Sequence, residues 1–287
     1  MIKIVDEDFV KNCIRPRRID SHKGENGKVM VIGGSWLYHG APFLSAMASL
    51  RCGVDLAYIA APEKIATAIR ALSPNIIVLP LSDLKLTRGV AKRVLKILPE
   101  IDSMVIGPGL ASGGEAGIEL VVKEALALGK GIVLDATALY SSILEKVSGG
   151  RVVLTPHAGE FKRVFGKDVP SKLDERVKLV REEAEKNRVT ILLKGRFDVI
   201  SNGVEVMVNK TGTPAMTVGG TGDVLSGIVA ALLAWGNDPF EAAASAAWIN
   251  GKAGELATSR FGLHILATDI IDFLPDVLRR FDRIVGE

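Results

Sequence analysis

The stretch VGGTGDVLSGIVAALLAW, residues 218–235, decides how this chain is read. Gly219, Gly220, Thr221, Gly222 and Asp223 lead straight into an apolar run from Val224 to Trp235. Glycines let backbone N–H groups come close to a ligand. The apolar run predicts a buried helix, and a helix N-terminus favours an anion through its free donors and its dipole. Asp223 is then the residue to explain, because its charge would lie beside that of a bound phosphate. As a base taking a proton from a hydroxyl that attacks phosphorus, it is well placed. The plain alternative is a helix cap by Thr221 or Asp223, and a short glycine string is a weak signal alone.

Upstream, short β-branched runs alternate with helical patterns: VMVIGG, GAPFLSAMASLRCG, VDLAYIA, a helix near 63–72, IIVLP, a helix near 87–98, SMVIG, a helix near 115–128, GIVLD and VVLTP. That is the rhythm of βαβ units, and strands apolar on both faces belong to a parallel sheet covered on both sides. A charged amphipathic helix is expected over 171–187, and TILLKG at 190–195 returns to the sheet. Asn202-Gly203 between two alternating runs signals a late antiparallel hairpin. Three helices, near 222–235, 239–258 and 268–281, close a single α/β domain over 1–287, with residues 1–20 read as an N-terminal extension.

In open parallel sheets ligands bind outside the carboxyl ends of the strands. Gly33-Gly34-Ser35, Gly107-Pro108-Gly109, Asp135, Thr155-Pro156-His157 and Lys194-Gly195 each follow a strand, so they share one rim with the GGTGD loop. There is no GxxxxGK[ST] loop, no GxGxxG after the first strand and no GxSxG elbow, which leaves the late glycine loop as the phosphate site.

Composition narrows the class. The chain is 287 residues long and 48% hydrophobic, enough for a large core. Its net charge of +3 is spread over 36 basic and 33 acidic residues, which marks no nucleic-acid or membrane surface. Cys13 and Cys52 form no CxxC pair and the N-terminus is acidic, so the expected compartment is the cytoplasm. The four histidines lack zinc spacing. The absence of glutamine, with Lys, Arg and Glu plentiful, predicts a thermophilic source.

In this order, HKG at 22–24, YHGAP at 38–42, GPGL at 107–110, VLDATAL at 133–139, PHAGEF at 156–161, LLKGRFDVI at 192–200 and NKTGTPAMTVGGTGDVLSG at 209–227 resemble the ADP/ATP-dependent NAD(P)H-hydrate dehydratase family. The resemblance runs from about residue 20 to the end and implies a ribokinase-like fold. It implies repair of the hydrated, redox-dead form of NADH or NADPH, with ADP in prokaryotes and ATP in eukaryotes as phosphoryl donor. By similarity Asp223 is the catalytic base. Ala41, Gly107 or Gly109, and His157 line the hydrate pocket. Lys194, Gly195, Arg196, Phe197 and Asp198, with Gly222, contact the AMP part of the nucleotide. The backbone donors of Gly219, Gly220, Thr221 and Gly222 hold developing charge. Glu160 matches the place of a Mg²⁺-associated glutamate, whose bland alternative is a first-turn helix residue. The resemblance also implies a homotetramer and a separate NAD(P)H-hydrate epimerase as pathway partner. Two rivals remain: a hydroxymethylpyrimidine- or hydroxyethylthiazole-type alcohol kinase on the same cradle, and an inactive nucleotide sensor, which would gain nothing from Asp223.

Overall fold

Val29, Met30, Val31 and Ile32 have no solvent exposure, yet they do not share one environment: Val29 and Val31 belong to one apolar cluster and Met30 and Ile32 to the other. The period-2 alternation of a strand sends neighbours to opposite faces, so a strand apolar throughout requires cover on both. The computed structural model, which describes residues 2–286, provides that cover.

The strands are β1 (Lys3–Ile4), β2 (Arg17–Arg18), β3 (Lys28–Ile32), β4 (Leu56–Pro62), β5 (Ile76–Leu81), β6 (Ser103–Ile106), β7 (Gly131–Leu134), β8 (Val152–Leu154), β9 (Thr190–Leu193), β10 (Asp198–Ser201), β11 (Val206–Asn209) and β12 (Ile284–Val285). The helices are α1 (Glu7–Cys13), α2 (Gly40–Cys52), α3 (Glu63–Leu72), α4 (Arg88–Leu95), α5 (Glu115–Ala127), α6 (Leu144–Val147), α7 (Ala158–Phe165), α8 (Leu173–Asn187), α9 (Thr221–Ala234), α10 (Pro239–Phe261) and α11 (Ala267–Leu278). Ten strands form one sheet in the order β1-β11-β10-β9-β8-β7-β6-β3-β4-β5, while β2 and β12 pair separately. Within the large sheet only β10 runs against the rest. This is the expected mostly parallel α/β architecture with a late hairpin, whose turn Asn202–Glu205 is closed by the Asn202 side chain accepting from Val204 and Glu205 N–H.

One face is covered by α1, α2, α3, α9, α10 and α11, the other by α4, α5, α6, α7 and α8. The all-round apolar character of α9 reflects its place between α2, α10 and the sheet, with ten consecutive residues from Val224 to Leu233 buried. Each large aliphatic there stabilises the fold by roughly 1.5–3 kcal/mol. Its glycine sets the spacing: a Cβ on Gly227 would lie 2.1 Å from the Ser45 carbonyl oxygen of α2.

The N-terminal residues read as an extension are part of this body. β1 pairs in parallel with β11, and Val5, Val10 and Ile14 enter the core. The short α7 directly after Pro156-His157 carries Glu160 in its first turn, as the alternative reading of that residue expects. No helix among the described residues is long and apolar enough to cross a membrane.

Candidate active site

The loops that follow β3, β6, β7, β8, β9 and β11 meet at the carboxyl edge of the sheet, against the start of α9. Gly220 is the N-cap of α9, with φ 97°, and no side chain caps the helix. Neither Thr221 nor Asp223 serves as the cap. Thr221 Oγ1 instead donates to the carbonyls of Met216 and Val218. Val224 N–H bonds back to Gly220, but the N–H groups of Thr221, Gly222 and Asp223 find no acceptor among the described residues. Three donors thus stay available at the positive end of a buried helix. Gly219 has open space where a Cβ would be, and a Cβ on Gly222 would stand 3.3 Å from Lys194 Nζ.

Lys194 is not a solvated strand-end lysine. Its side chain is 19% exposed, its Nζ donates to Asp135 Oδ1 at 2.9 Å, and Glu160 Oε2 lies at 3.6 Å. Burial works to lower its pKa, but the charges of Asp135, Glu160 and Asp223 outweigh that and raise it, so it is a fixed cation. Asp223 has the opposite situation. Burial first, then repulsion from Asp135 and Glu160 against the attraction of Lys194, push its carboxyl from 3.8 up to about 7. A carboxylate poised at that value can both take and give up a proton near neutrality. Its backbone is pinned, since Ser45 and Ser226 hydroxyls both donate to the Asp223 carbonyl at 2.8 Å.

His157 is the N-cap of α7. Its Nδ1 accepts from the N–H groups of Gly159 and Glu160, so that nitrogen carries no proton, and Nε2 lies 3.5 Å from Glu160 Oε1. Glu160 Oε2 in turn accepts the His157 N–H at 2.8 Å, completing a capping box. The carboxylate of Glu160 is therefore already committed to the start of α7 and to Lys194.

Of the two glycines of the GPG turn, Gly107 is buried with the Asp135 carbonyl where a Cβ would be. Gly109 is half-buried, and a Cβ there would meet Ala41 Cβ at 3.2 Å. Ala41 lies in the first turn of α2, one turn before Ser45, so this small-residue wall and Asp223 are joined through one helix.

A cleft of about 470 Å³ runs from His157, Lys194, Arg196 and Gly222 past Thr211–Thr213 to Met216 and α10. Gly195 and Asp198 also line it. Both oxygens of Asp198 are used within the fold, accepting from Gly195 N–H and from Asn209 Nδ2, each at 3.0 Å. Burial raises its pKa against those two hydrogen bonds and the nearby charges of Arg176 and Lys194. Phe197 does not reach the cleft; it packs with the second core cluster beneath the Arg196 guanidinium, 4.8 Å from its ring. Three features were absent from the expected set of site residues: Asp135 as the partner of Lys194, the Thr211–Met216 segment, and Asn250 in α10. For Asp135 and Lys194 the signal was available, as two opposite charges ending strands β7 and β9 on one rim.

An uncapped helix N-terminus, a buried cation and a high-pKa carboxylate at the carboxyl edge of a doubly covered sheet define a ribokinase-like phosphoryl-transfer site. The comparisons with known proteins agree and go further. The sequence model described as NAD(P)H-hydrate dehydratase matches residues 29–276, and the chain belongs to that family of hydro-lyases. It is 50% identical over 283 residues to the ADP-dependent (S)-NAD(P)H-hydrate dehydratase of Cenarchaeum symbiosum, covering 98% of this chain and 99% of that one. It is 51% identical over 268 residues to the bifunctional NAD(P)H-hydrate repair enzyme of Pyrobaculum aerophilum, covering 92% of this chain but 53% of that longer protein. The crystal structure of the ADP/ATP-dependent NAD(P)H-hydrate dehydratase from Bacillus subtilis, co-crystallised with ATP/Mg²⁺, superposes with a TM-score of 0.83 at 28% identity, covering 98% of this chain and 99% of that one.

Proposed function

We propose that this protein dehydrates the S form of NAD(P)H hydrate to NAD(P)H, with ADP as phosphoryl donor and AMP and phosphate as products. The observation that carries the reading is that Lys194 lines one cleft with Thr221 and Gly222 at the uncapped start of α9, while Asp223, in the same first turn, lies close enough to Lys194 to feel its charge. The hydrate bears a hydroxyl at C6 of its nicotinamide ring, and hydroxide leaves poorly. Asp223 takes the hydroxyl proton as the oxygen attacks the terminal phosphorus of ADP, and AMP departs. The C6 phosphate ester then expels phosphate with loss of the C5 proton, which restores the ring double bond. Lys194 and the N–H groups of Thr221, Gly222 and Asp223 carry the charge that develops on the phosphoryl oxygens. Ala41 and Gly109, small and adjacent, leave room for the hydrated ring, with His157 at the cleft mouth. Gly195, Arg196 and Asp198 form the loop that borders the AMP part.

Among the described residues no three His, Cys, Asp or Glu side chains converge as a ready-made metal centre. Asp135, Glu160 and Asp223 nonetheless surround one ammonium, and that surplus of hard oxygen donors suits Mg²⁺ completed by water and phosphate oxygens. Asp135, only one of whose oxygens is taken by Lys194, would hold the ion, with Glu160 reaching it through water, and the ion would neutralise charge on the transferring phosphoryl group. The same reading carries a cytoplasmic location, consistent with two free cysteines, a homotetrameric assembly, a thermophilic source and an epimerase as pathway partner.

The test is absorbance at the dihydronicotinamide band after adding enzyme and Mg²⁺ to purified NADH hydrate, with ADP and ATP in parallel. Recovery of the band with release of free phosphate, faster with ADP, is expected. A stable phosphorylated alcohol without recovered absorbance would refute the dehydratase reading in favour of the alcohol kinase.

A further inference from the structure

Ala136 follows strand β7 with a backbone φ of +49°, in the left-handed region that favours glycine. Among the described residues one other non-glycine does this: Arg188, which ends α8, an ordinary place for that conformation. Ala136 ends no helix. It stands directly after Asp135, the carboxylate that holds Lys194. A residue kept in a disfavoured backbone region persists only where its surroundings over-determine it, and such positions gather at functional sites.

The surroundings here are Arg163 and the GPG turn. Arg163 lies one turn beyond Glu160 on α7, so the two side chains leave the same side of that helix. Its Nη2 donates to the Ala136 carbonyl at 2.6 Å and its Nε to the Leu139 carbonyl at 2.8 Å. A guanidinium presents its donors in a rigid fork, so two such bonds fix the orientation of the turn. On the opposite side the Asp135 carbonyl fills the space that a Cβ on Gly107 would need, and Thr137 Oγ1 donates to the Leu110 carbonyl at 2.9 Å. The turn is thus gripped between α7 and the GPG turn. The Asp135 side chain, 3% exposed, meets Lys194 Nζ at 2.9 Å. A return of Ala136 to negative φ would rotate the peptide that joins it to Asp135 and draw the carboxylate off Lys194.

We propose that Arg163 is a positioning residue: it clamps Ala136 in its left-handed conformation and thereby keeps Asp135 on Lys194 during phosphoryl transfer. This rests on the role of Lys194 in that transfer. Arg163 is not on the cleft wall, so its effect reaches the reaction through the turn alone.

The test compares kcat, KM for the hydrate and thermal unfolding in the wild-type enzyme, in Arg163→Met, and in Arg163→Met combined with Ala136→Gly. Methionine keeps the length of the side chain and removes its donors, and glycine adopts positive φ without a clamp. In Arg163→Met kcat should fall about 10- to 100-fold, the scale of a small misplacement of a charge-bearing group. KM for the hydrate should not change, because the interaction lost is one made in the transition state. Adding Ala136→Gly should restore most of kcat. Wild-type kcat in Arg163→Met, whatever its melting temperature, marks the residue as structural and overturns the inference. A loss carried by KM, or one that Ala136→Gly leaves in place, overturns it as well. If Arg163→Met does not fold, Arg163→Lys, which keeps one donor group for two carbonyls, is read in the same way. If the wild-type enzyme leaves the hydrate unchanged and phosphorylates another alcohol, the dehydratase reading fails and the same comparison on that alcohol decides the clamp. Absence of any phosphoryl transfer refutes both.

Discussion

Replacing Asp223 by asparagine should make the protein more stable while lowering its activity by orders of magnitude. Burial and the neighbouring Asp135 raise the Asp223 carboxyl from 3.8 to about 7, against the attraction of Lys194. The folded state therefore holds this proton more tightly than the unfolded chain does. Below pH 3.8 the group is protonated in both states and costs nothing. Stability is lost as pH rises from there to about 7, and above that the full cost of a charged Asp223 is present. A gap of that size corresponds to about 4 kcal/mol, and at pH 5 to about 1.5 kcal/mol. Asparagine has the same shape and no charge, so Asp223→Asn should gain roughly those amounts at pH 8.5 and pH 5. Guanidinium unfolding of both proteins at the two pH values measures the difference. Turnover of the hydrate should fall by about 10²–10⁴-fold, as for loss of a general base. A variant no more stable than wild type at pH 8.5, or a stability difference that does not grow with pH, would refute the electrostatic account of this site.

The same carboxyl should give kcat/KM an acidic limb, rising with pH to a plateau above about 7. Asp135→Asn, by removing a neighbouring negative charge, should move that limb to lower pH, which a pH–rate profile reads directly. Lys194→Met should cost about 3–5 kcal/mol, because it leaves the 3%-exposed Asp135 side chain without its cation. Adding Asp135→Asn should recover most of that loss in thermal unfolding without restoring turnover. Gly227→Ala would place a Cβ 2.1 Å from the Ser45 carbonyl oxygen and force α2 and α9 apart. A destabilisation of about 1–3 kcal/mol is expected by denaturant titration.

Much of the architecture was legible in the chain because it is written in local periodicity. Runs such as VMVI and IVL, apolar at every position, require a sheet covered twice, and Asn202-Gly203 marks the reversal before β11. The strand-end residues share one rim because all parallel strands end there. The N-terminal segment was harder to place. Val5, Val10 and Ile14 are too few and too short-ranged to announce that β1 would extend the sheet beside β11, some two hundred positions away.

The sequence by itself determined the family, the parallel α/β frame, and Asp223 beside a glycine-rich helix start. These follow from motif order and from side-chain periods that span only a few residues. Only the tertiary structure decided what surrounds them. It made Gly220 rather than Thr221 or Asp223 the helix cap and bound Glu160 to the backbone of His157. It buried Lys194 between Asp135 and Glu160, and brought Asn250 of α10 to the wall of the same cleft. Each is a property of distance and burial between residues far apart in the chain, set by how the two layers of helices close on the sheet. Local pattern carries no record of them.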